Sequence, residues 1–146
     1  MTAEALATPR LIDADALIAE MGARARVVAK ILAVAPTGAK AAALRAAAAE
    51  LRAQAPAILA ANARDMDAGK TAGLSSAMLD RLRLDEGRLA AIADAVEDVA
   101  GLADPVGREI DRATRPNGME LSRVRVPLGV VGIIYESRPN VTADAA

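Results

Sequence analysis

The 146 residues contain no cysteine and no histidine. Within them, disulfides, thiolate or imidazole metal sites, Cys–His and Ser–His nucleophile pairs and any histidine base are therefore excluded. A chain free of cysteine fits a reducing compartment. Tryptophan and phenylalanine are missing too, and Tyr135 is the single aromatic. Binders of single-stranded nucleic acid stack bases on several rings, which this chain does not have. Neither charge sign is in excess: 18 Lys and Arg against 19 Asp and Glu leave a formal net charge of −1, with no basic block. No electrostatic footprint for nucleic acid follows. The start, MTAEALATPR, lacks the basic and apolar regions of a signal peptide. VPLGVVGIIY, the longest strongly apolar run, is far short of the ~20 residues that span a bilayer. The expectation is a cytoplasmic protein with no nucleic-acid partner, no membrane partner and no metal.

Apolar residues make up 53% of the chain and charged residues 25%, so the disorder signature of low hydrophobicity with high net charge is missing. A compact chain of this length buries roughly 68–70% of its unfolded surface, enough for a core. From Asp13 to Ala35 the residues Leu17, Met21, Val28, Ile31 and Leu32 fall on one stripe of a 3.6-residue period, which predicts an amphipathic helix. Pro36-Thr37-Gly38 breaks it, with Thr37 as a candidate N-cap. The pattern resumes through Leu44, Ala48, Leu51 and Ala55. Pro56 suits the first turn of a third helix that ends near Gly69 or Gly73. Ser75 or Ser76 can cap a short helix around Met78 to Leu82, and Asp85 a fifth, through Leu89, Ile92, Val96 and Val99 to a stop at Gly101 and Pro105. Residues 13 to 102 thus read as a helical layer with narrow, alanine-rich faces. The alanine admits two readings, close helix packing or low-complexity disorder, and the regular leucine spacing favours packing.

After Pro105 the period changes. GREIDRATRPNGMELSRVRVP carries two stretches around Pro116-Asn117-Gly118, and in the second Ser122, Val124 and Val126 alternate with Leu121, Arg123 and Arg125. This predicts a hairpin or two paired strands, whose arginines form a solvated face or a charge-protected edge more readily than an anion site. GVVGIIY, residues 129–135, is apolar on both faces, as a buried parallel strand is. Its partners are not visible upstream, so they must come from later in the sequence or from another chain.

The strand leads into Glu136-Ser137-Arg138-Pro139-Asn140 and a helix opening. In open α/β sheets ligands bind outside the carboxyl ends of the strands. There Asn140 can donate an N–H to a developing oxyanion, and Arg138 can pair with phosphate or carboxylate. On the plainer alternative Asn140 is only a helix N-cap, Arg138 only pairs with Glu136, and Pro139 only sets the turn. Gly129 and Gly132 make GxxG, which is not the dinucleotide fingerprint.

The segments LIAEMGARAR (17–26), ILAANARDMDAGKTAGLSSAMLDRLRL (58–84) and LADPVGREIDRATRPNGMELSRVRVPLGVVGIIYESRPNVTADAA (102–146) closely resemble the glutamate-5-semialdehyde dehydrogenases, also called gamma-glutamyl phosphate reductases, of the aldehyde dehydrogenase superfamily. The resemblance runs from about Leu17 onward, and VPLGVVGIIYESRPNVT is its most specific part. It implies NADPH-dependent reduction of L-glutamyl 5-phosphate to glutamate 5-semialdehyde with release of phosphate, the second step of proline biosynthesis. In that chemistry a cysteine thiolate attacks the acyl phosphate and the resulting thioester accepts hydride from the nicotinamide.

The implied fold is α/β. Residues 1–102 form the helical part of the cofactor-binding domain, 103–127 an oligomerisation hairpin, and 128–146 the first strand and helix start of a Rossmann-like parallel sheet that is cut off. By the same resemblance Asn140 is the side-chain half of the oxyanion hole. Glu136, Ser137, Arg138 and Pro139 lie beside the nicotinamide or the acyl phosphate, and the chain assembles as a homo-oligomer. The family's cysteine and cofactor loops lie beyond Ala146, so the expectation is an N-terminal fragment, inactive by itself. Two other readings stay open: a truncated product that only docks on other subunits, and an unrelated helical domain.

Overall fold

The structure, a computed structural model, describes residues 13–136 and 138–145. Five helices come first: α1 (Ala14–Ala33), α2 (Thr37–Ala53), α3 (Ala55–Thr71), α4 (Ser76–Leu82) and α5 (Glu86–Ala100). A hairpin of β1 (Glu109–Thr114) and β2 (Glu120–Val124) follows, and one turn of helix, α6 (Val141–Asp144), ends the described chain.

Most helix starts are set by the residue that local chemistry demands. Asp13 accepts from the Ala16 amide at 3.1 Å, Ser75 from Met78 at 3.3 Å, and Asp85 from Arg88 at 2.8 Å. Of the two serines offered by the sequence, Ser75 is the cap. Thr37 is not a cap. Pro36 holds that position without a side-chain bond, and the Thr37 hydroxyl donates instead to Asp104 at 3.1 Å. At the end of α3, Gly73 takes φ +74, and the amides of Leu74 and Gly73 bond back to the carbonyls of Gly69 and Lys70, both at 3.0 Å. This paired closure requires a left-handed residue, which glycine supplies without steric cost.

The core lies between α2 and α5. Ala48 and Ala93 have no exposed surface, Val96 is buried beside them, and Leu44, Leu51 and Ala143 pack around the three. Methyl-sized side chains at the contact let two helices approach closely, so the alanine serves packing. Arg52 on α2 ties the same pair from outside, donating to Asp94 at 2.7 Å and Glu97 at 2.8 Å. Those two carboxylates hold its guanidinium above the ordinary arginine value. The α1 stripe, by contrast, is left uncovered: α1 buries no residue, and Leu17, Met21, Ile31 and Leu32 are all exposed.

Asn62, 5% exposed, is the buried polar residue of the described chain. Its carboxamide donates to the Leu82 carbonyl at 2.8 Å and accepts from the Leu84 amide at 2.7 Å. It thereby locks α3 to the turn between α4 and α5. Asp104 plays the same part at the other end. It accepts from Lys40 at 2.8 Å, from Thr37, and from the Val106 amide at 2.9 Å, which joins the start of α2 to the entry of the hairpin.

β1 and β2 pair antiparallel, with Asp111 opposite Arg123 and Ala113 opposite Leu121, and a bulge between Glu109 and Asp111. Gly118 at φ +81 and the Asn117 side chain, which accepts from the Met119 amide at 3.1 Å, make the turn. The hairpin arginines are a charged face: Arg112 joins Glu109 and Glu120, and Arg123 joins Asp111. Every residue of both strands is exposed.

Residues 129–135 form no strand, contrary to the reading of their pattern. The two-stranded hairpin is the sheet among the described residues, and Leu128 and Ile134 are 94% and 103% exposed. Strand backbone is stabilised by hydrogen bonds to a neighbouring strand, and among the described residues no strand pairs with this segment. The α/β character of the chain therefore rests here on helices plus an antiparallel hairpin.

Candidate functional site

The candidate site is the corner from Tyr135 to Asp144. Two side-chain bonds shape it. The hydroxyls of Tyr135 and Thr142 share a hydrogen bond of 2.8 Å across the turn. Asn140 Nδ2 donates to Asp144 Oδ2, also at 2.8 Å.

Asn140 stands at the N-cap position of α6, but with helical φ −62 and ψ −33 and no bond from its side chain to the backbone. The plain N-cap role is thus not the one its side chain performs. The carboxamide carries two N–H donors, and the bond to Asp144 uses one. The other has no partner among the described residues.

Pro139 and Asn140 are half-buried, and Glu136 and Arg138 are exposed. Glu136 and Arg138 make no ion pair with each other among the described residues, so the alternative that they merely neutralise one another finds no support. Ser137 lies outside the described residues.

The corner sits where two hollows meet. An apolar groove of about 690 Å³ runs between α2 and α5, lined by Leu44, Leu51, Leu89 and Ile92, and is bordered by Pro139 and Ala143. On the other side of Pro139 a smaller recess of about 260 Å³ brings Asn140 together with Arg81, Arg83 and Arg88. The sequence pattern singled out Asn140 but none of these arginines. The available signal was the run Asp80-Arg81-Leu82-Arg83, which sets two arginines beside one acid at a helix end.

The cofactor residues named from the resemblance supply one exposed guanidinium, one exposed carboxylate and a proline among the described residues. Without a parallel sheet to open a crevice, that donor set does not by itself make a dinucleotide cradle. No group of three or more Asp and Glu side chains could hold a metal ion among the described residues. No helix among them is long and apolar enough to cross a membrane.

No family model matches the chain. A gamma-glutamyl phosphate reductase of Sphingopyxis alaskensis is 79% identical over 134 residues, 92% of this chain and 31% of that protein. One of Paramagnetospirillum magneticum is 60% identical over 134 residues, covering 32% of its own length. Among solved structures, the gamma-glutamyl phosphate reductase of Thermotoga maritima matches 88% of this chain and 31% of its own, with TM-score 0.83 and 39% identity. That of Saccharomyces cerevisiae matches 86% and 32%, with TM-score 0.82 and 33% identity. By sequence and by backbone the chain is a relative of the gamma-glutamyl phosphate reductases, matched over 92% of its own length and 31% of that of the Sphingopyxis protein.

Proposed function

We infer that these residues are part of a longer enzyme that reduces L-glutamyl 5-phosphate to L-glutamate 5-semialdehyde and releases phosphate, a cytoplasmic step of proline biosynthesis. The observation that carries this reading is the 79% identity over 134 residues to a protein named for that activity. NADPH is the proposed hydride donor. Most of its site must come from residues outside these 146, because the corner alone does not cradle a dinucleotide.

Within this chain Asn140 is the proposed oxyanion donor, acting through the N–H that Asp144 does not use, with Glu136 to Pro139 alongside. The proposed division is a helical part at 1–102, a hairpin at 103–127 through which copies associate, and the start of a parallel sheet at 128–146. The exposed apolar run from Leu128 to Tyr135 supports the last element, since it has the composition of a buried strand and lacks only a neighbour. The chain has no thiol, so by itself it should form no acyl-enzyme.

The test is the complete protein assayed in the oxidative direction, with semialdehyde, inorganic phosphate and NADP. Phosphate-dependent formation of NADPH is expected, and a complete protein that forms none overturns the reading. A second reading, a module that only docks on other subunits, is favoured by the hairpin, which is exposed on both faces. It predicts co-migration of the 146-residue chain with the complete enzyme and no activity of its own.

A further inference from the structure

The recess beside Asn140 is lined by Arg81, Arg83 and Arg88 together with apolar residues that include Ile92 and Pro139. One carboxylate serves two of them. Asp80 Oδ1 accepts from Arg83 at 3.2 Å and from Arg88 at 2.9 Å. Arg88 is also held from behind, its Nη1 donating to the carbonyls of Asp80 at 2.6 Å and Arg83 at 2.9 Å. Arg81 enters no ion pair among the described residues. Of the other nearby acids, Asp85 is engaged as the α5 cap, Asp144 accepts from Asn140, and Glu86 is exposed; none of the three lines the recess.

Three arginines thus line a hollow in which Asp80 pairs with two of them and Arg81 has no ion-pair partner among the described residues, with Asn140 at its edge. A guanidinium fork matches two oxygens of a carboxylate or phosphate, and the Arg83 and Arg88 side chains, 53% and 40% exposed, are open to an oxyanion arriving from solvent.

We propose that this recess binds an oxyanion of the substrate, with Arg81 and Arg83 as its ligands and Arg88 as the frame that Asp80 and two carbonyls hold rigid. The proposal rests on the reading of Asn140 as part of the active site. L-glutamyl 5-phosphate offers two groups of the required chemistry, its α-carboxylate and its phosphate. Either would be seated in the recess that Asn140 itself lines.

The experiment uses the complete reductase, with phosphate and semialdehyde varied separately in the oxidative direction for Arg81→Ala, Arg83→Ala and Arg81→Lys. The two alanine variants should raise one KM by about 10–100-fold while kcat changes little, the loss expected for a charge-assisted contact. A rise in the phosphate KM assigns the recess to phosphate, and a rise in the semialdehyde KM assigns it to the carboxylate. Arg81→Lys should recover part of the loss, since it keeps the charge without the fork. It also stands in for Arg81→Ala if that variant does not fold. If both KM values are unchanged, whether or not kcat falls, the recess is not an anion site, while a slowed Asn140→Ala enzyme would leave the functional reading intact. A wild-type enzyme without phosphate-dependent activity would overturn both.

Discussion

Lys40 and Asp104, 64 residues apart in sequence, meet at 2.8 Å and close the gap between the first turn of α2 and the approach to the hairpin. The side chains are 27% and 15% exposed, and the Val106 amide and Thr37 hydroxyl complete the set of donors around the carboxylate. The Lys40 bond, then the Val106 amide, hold the Asp104 carboxyl below its ordinary value of 3.8.

A pH dependence follows from that shift. A carboxyl whose folded value is depressed contributes stability in full above its unfolded value and loses it as pH falls through the folded one. Urea midpoints of the wild type and Asp104→Asn, measured from roughly pH 2 to 6, should differ most at the upper end and converge below 3.8. A constant gap down to the lowest pH would show that the charge on Asp104 is not what stabilises the junction.

The second prediction concerns Asn62. Asn62→Ala strands the Leu82 carbonyl and the Leu84 amide in a buried place, and should cost about 1–3 kcal/mol in chemical denaturation. Gln54→Ala, which loses only an exposed bond to Glu50, should stay within about 0.5 kcal/mol of the wild type.

Two glycines of one helix end should behave differently. Gly73→Ala forces a side chain into φ +74 and should cost about 1–2 kcal/mol. At Gly69 an added Cβ would come to 3.0 Å from Leu74 Cδ1 and 3.2 Å from Leu79 Cδ2, both flexible ends. Gly69→Ala should therefore be near neutral, the gain in helix propensity of roughly 0.5–1 kcal/mol offsetting the crowding. Gly69→Val should be destabilising by about 1–3 kcal/mol. Thermal midpoints of the three variants check the order.

The oxyanion role has its own test. In the complete enzyme, Asn140→Ala should lower kcat by about 10²–10³ with a small change in KM, as expected for a donor used mainly in the transition state. Unchanged turnover would remove Asn140 from the machinery.

The helices were legible because their signals are local. Asp13, Ser75 and Asp85 each bond an amide three residues on, and the Pro116 to Gly118 turn needs nothing from outside its own few residues. Thr37 misled because a hydroxyl before a helix can satisfy its own chain or a distant acid, and here the distant acid is Asp104. Asn62 left a faint trace, a poor helix former amid apolar neighbours, but its partners lie 20 and 22 residues away.

By itself, then, the sequence determined the helical layer, the Asp85 cap, the hairpin turn and the kinship of the closing motif, all of which depend on residues close along the chain or on their order. Tertiary structure alone decided which alanines meet, that Asn62 and Asp104 are the fasteners, that Asn140 lines one recess with three arginines, and that residues 129–135 stay unpaired among the described residues. The reason is physical. A helix closes its hydrogen bonds within itself, whereas a strand, a buried polar group and a recess are completed only by what the fold brings beside them.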